Sequence, residues 1–141
     1  SLMALIGGGG AGGAGNVAGS NPAGISKGLN YIGNHAYAYS GSVSSNGSSA
    51  ADTTALQFNT GSSYLVGFFS FQTTEVGGGQ CFIDLKIDNQ TIIQVTWDGD
   101  SHGNRTQPLE IVLPPFADIE VLTGTANDKL VTTQITGRVY A

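Results

Sequence analysis

The chain has 141 residues, a length typical of one domain with its own hydrophobic core. Only 11% of the residues are charged, against roughly 25% in ordinary globular proteins, and the net charge is −5. Five Lys and Arg residues are too few to neutralise the phosphates of a nucleic acid, and the same balance disfavours an anionic membrane surface. No apolar run approaches the roughly 18 residues of a membrane span, so membrane insertion is not expected.

Residues 1–28 are predicted to form a glycine-rich arm. The segment carries one charge, at Lys27, and buries too little surface to offset its ordering entropy on its own. We therefore expect the arm to lie in a groove or against a neighbouring subunit, where glycine lets two backbones approach closely. The predicted assembly residues are Leu5, Ile6, Gly7, Gly8, Gly9, Gly10, Gly12, Gly13 and Gly15.

A G-x-G-x-x-G pattern runs from Gly10 to Gly15. A dinucleotide site also needs a strand before the glycines, a helix after them and an acidic residue about 20 positions on. The segment that follows contains Pro22, and the first acidic residue of the chain is Asp52. We interpret the pattern as part of the arm and predict no cofactor.

The first residues bear on cellular location. Ser1-Leu2 is interpreted as a cloning remnant before an initiator Met3. The residues after it have neither the basic region nor the long apolar stretch of a signal peptide, so synthesis in the cytoplasm is expected. Cys81 is the single cysteine, which excludes a disulfide within the chain.

Residues 29–141 are predicted to form a single β-sandwich domain. Alternating apolar and polar residues, separated by turns rich in Gly, Asn, Ser and Asp, predict eight strands. They cover residues 35–43, 53–58, 64–72, 81–87, 93–97, 109–113, 119–121 and 131–139. The run 64–71 is apolar on both faces, which predicts a strand buried on both sides.

The predicted fold is all-β, because no 10-residue stretch has helical periodicity. Eight antiparallel strands at this spacing favour a β-sandwich, with a jelly roll as the expected arrangement. An up-and-down barrel is the alternative.

The loop 98–107 contains three overlapping motifs. Gly99 to Gly103 fits G-x-S-x-G, but a nucleophile elbow needs a helix after the serine, and the residues here lead to another strand. Asp98, Asp100 and His102 are weak candidate metal ligands, because the loop resembles the start of a calcium site but lacks its bidentate Glu. We expect a connecting loop and no catalytic residue.

Three tyrosines lie close to His35 in the sequence. Tyr31, Tyr37 and Tyr39 could stack on sugar rings, or they could be half-buried packing residues or an oligomer interface. Both interpretations stay open at the level of the sequence.

Several segments carry a resemblance to a known group. They are Met3-Ala4-Leu5-Ile6-Gly7-Gly8-Gly9-Gly10-Ala11-Gly12-Gly13, Asn21-Pro22-Ala23-Gly24, Gly28-Leu29-Asn30-Tyr31-Ile32-Gly33, Ala38-Tyr39-Ser40-Gly41 and Ile135-Thr136-Gly137-Arg138-Val139-Tyr140. From end to end, the chain resembles small proteins of marine tailed bacteriophages and viral metagenomes. The resemblance implies a virion component and transfers no site residues.

The last strands carry a second resemblance. Residues 109–113, 119–123 and 131–140, with the turn Pro114-Pro115-Phe116-Ala117-Asp118, are similar to the closing strands of C1q and tumour-necrosis-factor heads. These are trimeric jelly rolls, so the similarity implies a homotrimer.

Three classes of function follow from these observations. The expected function is a phage structural or adhesion protein, such as a decoration, fibre-head or tail-associated protein, that assembles with itself. Other virion proteins or a host glycan are possible further partners, reached by loops 44–51, 74–79 and 98–107. The alternatives are a carbohydrate- or ligand-binding module and, less well supported, a small hydrolase or metal enzyme.

Overall fold

A computed structural model describes residues 28–45, 50–74, 79–98, 104–105, 107–125 and 129–140. Within these ranges the regular elements are all β-strands. They are β1 (Asn30–Ile32), β2 (His35–Tyr39), β3 (Val43–Ser44), β4 (Thr53–Asn59), β5 (Tyr64–Thr73), β6 (Gln80–Ile87), β7 (Gln90–Asp98), β8 (Asn104–Arg105), β9 (Leu109–Leu113), β10 (Asp118–Thr125) and β11 (Leu130–Tyr140). Residues 1–27 of the predicted arm lie outside the described residues.

The strands form two antiparallel sheets. Sheet A has the order β9-β5-β11-β2-β1, with the short strands β8 and β3 pairing with β5 and β11 respectively. Sheet B has the order β4-β10-β6-β7. The prediction of an all-β antiparallel sandwich is confirmed, and the described strands form two separate sheets, whereas an up-and-down barrel would have a single closed one.

All eight predicted strands are present; the strand 109–113 has the predicted ends, and the other seven have shifted ends. The strand predicted over 35–43 is divided into β2 and β3 at Gly41, whose φ of 68° is a left-handed value that glycine adopts without strain. β7 begins at Gln90 because the chain reverses in two residues, Asp88 (φ 49°) and Asn89 (φ 68°). Positive φ at both central residues defines the type I′ turn, whose twist matches that of a hairpin.

The core lies between the two sheets. Sheet A contributes Leu65, Phe69 and Ile135, and sheet B contributes Ile83 and Val121, all of them fully or almost fully buried. These positions follow the period-2 alternation that the sequence predicts, because successive residues of a strand point to opposite faces. Cys81 is buried, as its place on the apolar side of β6 predicts.

The expectation for residues 64–71 is wrong. β5 pairs with a strand on each side, but only one of its faces is buried. Leu65 and Phe69 point into the core, whereas Tyr64 and Phe68 are about half exposed on the other side of the sheet. The strand is central in sheet A without a second layer over its outer face among the described residues.

The residues that flank the three predicted partner-facing loops lie together at one end of the sandwich. Ser45 N donates to Lys129 O at 3.0 Å, and Thr74 N donates to Leu130 O at 3.0 Å. Gln80 pairs with Asp98 at the start of β6 and the end of β7. Most residues of the loops themselves, including Asp100 and His102, lie outside the described residues.

The opposite end contains the corner that Pro114-Pro115 predicts. Thr60 fixes this corner: its hydroxyl donates to Pro114 O at 2.7 Å and accepts from Ala117 N at 3.0 Å. Phe116, between the prolines and Ala117, is 73% exposed and has a φ of 56°, an uncommon value for a bulky side chain.

Candidate functional site

The outer surface of sheet A, which we call the A face, carries several exposed hydrophobic side chains among polar ones. It consists of the outward-pointing residues of β1, β2, β5, β9 and β11. Its exposed large hydrophobic side chains are Ile32, Tyr64, Phe68, Val112, Leu130 and Tyr140. Leu130 lies apart from the others, beyond the polar Thr132 and Gln134 of β11. Scattered single hydrophobic residues are normal on a protein surface, but a group such as the remaining five is typical of an interaction site.

The strand register brings these residues together. Val112 of β9 lies opposite Val66 of β5, and Val66 lies opposite Arg138 of β11. Because paired residues of adjacent strands point to the same side of a sheet, such rows are continuous across sheet A. The next row joins Phe68 to Thr136. Residues that are distant in the sequence thereby form one surface.

A shallow groove of about 740 Å³ lies across β2, β11 and β5. The side chains of Tyr37, Tyr39, Phe68 and Arg138 line it. Its floor includes Gly67 and Gly137, which are paired across β5 and β11. An apolar concave site with a few polar groups at its rim is the usual form of a binding site.

The charges of the A face are few and separated. Arg138 and His35 are exposed and lie opposite each other on β11 and β2. Glu110 is exposed on β9, at the other side of the sheet. The Arg138 guanidinium carbon lies 5.7 Å from the ring centroid of Tyr140, within range of a cation–π interaction.

The three candidate tyrosines do not form one site. Tyr37 and Tyr39 are neighbours on the A face, with ring centroids 5.2 Å apart and a 45° angle between the ring planes. Tyr31 packs against the core, and its hydroxyl donates to Thr60 O at 3.4 Å. Burial raises the pKa of Tyr31. Tyr31 is therefore a packing residue, and Tyr37 and Tyr39 remain candidates for ligand contact.

The candidate metal loop cannot be assembled from the described residues. Asp98 ends β7, whereas Asp100 and His102 lie outside the described ranges. Elsewhere in those ranges, no group of three or more His, Cys, Asp or Glu residues is placed to hold a metal ion. The assembly residues Leu5 to Gly15 also lie outside the described part of the chain.

The described residues of the chain include no helix with the length and hydrophobicity needed to cross a bilayer.

A second hollow, of about 660 Å³, lies beside the Asp88–Asn89 turn. Its carboxylates have structural partners: Asp118 Oδ1 accepts from Asn59 Nδ2 at 2.9 Å, and Asp88 Oδ1 accepts from Asp118 N at 2.9 Å. Glu120 Oε2 accepts from Thr54 Oγ1 at 3.2 Å. These contacts connect β4, β10 and the β6–β7 turn, and we interpret their role as structural.

The sequence did not identify the most prominent members of the A face. Phe68 and Val112 were assigned to strands with no functional role, and neither Glu110 nor Arg138 was singled out. The outward position of Val112 is visible in the alternation Leu109, Ile111, Leu113. The proximity of β9, β5 and β11 depends on the sheet order, which no local pattern contains.

Comparison with known proteins identifies no family. No protein-family model matches the chain, and no curated protein matches it. Among solved structures, a β-glucosidase from Paenibacillus barengoltzii is similar over 72% of this chain and 10% of its own, at 14% identity and a TM-score of 0.43. A TM-score of this size identifies neither a shared fold nor a shared activity.

Proposed function

We propose that the protein is a structural component of a phage particle that assembles with copies of itself through the A face and the N-terminal arm. The A face is the observation that carries the assembly part of the proposal. The phage particle is inferred from the resemblance of the arm and strand segments to small phage proteins. The proposed role is not enzymatic.

The size of the A face is adequate for a stable contact. Sheet A is five strands wide, and β5 has ten residues. The five strands contain 34 residues, from three in β1 to eleven in β11. At about 4.8 Å between strands and about 3.3 Å per residue, they cover roughly 540 Å². Contacts that cover this area on both partners would bury roughly 1,080 Å² in total, just above the ~1,000 Å² expected of a biological interface.

We further propose a jelly-roll arrangement and a homotrimer. The strand order supports the jelly roll, because consecutive strands alternate between the sheets: β3 in sheet A, β4 in sheet B, β5 in sheet A and β6 in sheet B. β7, β9, β10 and β11 repeat the pattern, with β7 and β10 in sheet B. Two such Greek keys make up a jelly roll. The trimer is inferred from the resemblance to trimeric heads.

Light scattering across a concentration series tests this proposal. The wild-type chain should have the mass of a closed oligomer, with three subunits expected. Phe68→Ser combined with Val112→Ser should shift it towards monomer. The matched control is Ile92→Ser, which removes a hydrophobic side chain of similar exposure (57%) from sheet B. A wild-type monomer at all concentrations, or a double variant as associated as the wild type, would contradict the proposal.

A glycan-binding module is the second candidate, and the Tyr37–Tyr39 pair favours it. The two partly buried rings lie in the groove, and Gln134, opposite Tyr39, donates to Ser70 Oγ at 3.0 Å. Aromatic faces beside amide and hydroxyl groups can stack on and hydrogen-bond to a sugar. A glycan array followed by thermal unfolding should then show a ligand-dependent rise in Tm that Tyr37→Ala abolishes.

A further inference from the structure

We propose that the A face of each copy is covered by the A faces of its two neighbours in the proposed trimer, placed so that Glu110 of one copy pairs with Arg138 of the next. This inference rests on the proposed self-assembly and specifies its contact. His35, beside Arg138, contributes to the same positive side of the face.

Glu110 and Arg138 lie on opposite sides of β5, whereas Arg105 of β8 pairs with Gln72 on the same side of β5 as β9. Glu110 lies on β9, the edge strand on one side. Arg138 lies two strands away on β11, with His35 one strand further on β2. The hydrophobic residues Phe68 and Val66 of β5 lie between the acidic and the basic side. Among the outward-pointing residues of the described strands of sheet A, Glu110 is the one acid.

Covering this face imposes a chemical requirement. Removing Glu110 and Arg138 from water without partners would carry a large desolvation penalty and would offset much of the gain from burying the surrounding hydrophobic surface. A partner must therefore supply a cation opposite Glu110 and an anion opposite Arg138. Two neighbouring copies in a ring supply both, one through its Arg138 and the other through its Glu110.

The geometry of Arg138 suits this contact. Its guanidinium carbon lies 5.7 Å from the Tyr140 ring centroid, which limits the orientations of the side chain. A planar guanidinium presents parallel N–H donors that match the two oxygens of a carboxylate. In a three-membered ring, every subunit would use its Glu110 on one neighbour and its Arg138 on the other.

The test is charge reversal in the full chain, followed by sedimentation or light scattering over a dilution series. Glu110→Arg and Arg138→Glu should each weaken association by about tenfold or more, because each places like charges together in the contact. The double variant, which restores opposite charges, should associate within about threefold of the wild type. Asp52→Arg, the same charge change at an exposed site outside the A face, should have little effect.

Two further measurements keep the test decisive if a reversal variant folds poorly. Glu110→Gln, which keeps the size of the side chain, should also weaken association. Added NaCl should weaken the wild type more than it weakens Glu110→Gln, since salt screens the ion pair. If both reversals associate like the wild type while Phe68→Ser with Val112→Ser dissociates, the A face is the interface and the ion pair is wrong. A wild-type monomer would instead overturn the proposed self-assembly itself.

Discussion

Gly67 and Gly137 lie directly opposite each other at the centre of sheet A, on β5 and β11. A Cβ atom on Gly137 would lie 2.6 Å from the Val66 carbonyl oxygen and 2.8 Å from the Gly67 Cα. Both neighbours are backbone atoms, which cannot rotate away as a side chain could. The two strands therefore approach at a distance that only glycine permits.

Gly137→Ala should destabilise the fold by about 1–3 kcal/mol, the usual cost of forcing extra volume into a packed site. Urea unfolding, followed by tryptophan fluorescence, measures the change. Thr136→Ala is the matched control, because Thr136 is the preceding residue of β11 and points to the A face. A loss for Gly137→Ala no greater than that of the control would contradict the tight approach of the strands.

Thr60→Val should open the corner at Pro114. The valine keeps the shape of the side chain but removes the hydroxyl that bonds to Pro114 O and Ala117 N. Leaving the buried Ala117 N–H and the partly buried Pro114 carbonyl without this partner costs about 1–3 kcal/mol. Thr60→Ser keeps the hydroxyl and should lose less stability in the same chemical denaturation experiment. Equal losses for the two variants would show that the methyl group, and not the hydroxyl, fixes the corner.

Stability should fall at alkaline pH, in part through Tyr31. Burial raises the pKa of Tyr31 in the folded state above its ordinary value of about 10. Below that value the ring is neutral in both states, so its contribution is complete. As the pH rises further, the unfolded chain ionises first, and the free energy of unfolding falls until the folded state also loses the proton.

Urea midpoints between pH 8 and pH 11 or so should therefore decline less for Tyr31→Phe than for the wild type. Tyr64→Phe is the control, because the Tyr64 ring is exposed on the A face. If Tyr31→Phe and Tyr64→Phe show the same pH dependence of the urea midpoint, ionisation of Tyr31 does not contribute to the loss of stability.

Deletion of residues 3–28 should leave the β-domain folded and weaken its association. The described core is built from strands that begin after this segment, with Leu29 as its first member. Circular dichroism and thermal unfolding check the fold, and light scattering checks the mass. Unchanged association of the truncated chain would exclude the arm as an assembly element, whether or not the Glu110–Arg138 pair is confirmed.

The sequence predicted the strands well because the alternation of side chains is strong. In β6, Cys81, Ile83 and Leu85 alternate with residues that are polar except for Phe82, and all three are buried. The alternation fails in β5, where almost every residue from Tyr64 to Phe71 is apolar. A pattern without contrast cannot show which face is covered, so the exposed side of Phe68 was not predicted.

The candidate surface was predictable only in its parts. Tyr37 and Tyr39 were singled out, but the opposite orientation of Tyr31 follows from the register of β1 against β2, in which Tyr31 lies opposite the inward-facing Ala36. Glu110 and Arg138 are 28 positions apart, and they share a face because β5 pairs with both β9 and β11. Such pairings depend on tertiary packing, which local patterns do not encode.

The hydrogen bonds at the ends of the loops allow the loops to vary in sequence and length independently of the rest of the fold. Ser45 and Thr74 are bonded to Lys129 and Leu130, so the ends of their loops are held by backbone contacts that do not depend on the residues in between. Changing the length of a loop between fixed ends costs little, because closure entropy grows slowly with length. The loops at this end of the domain can therefore acquire a new binding specificity, or accept an inserted peptide. The A face, which we assign to assembly, does not have to change with them.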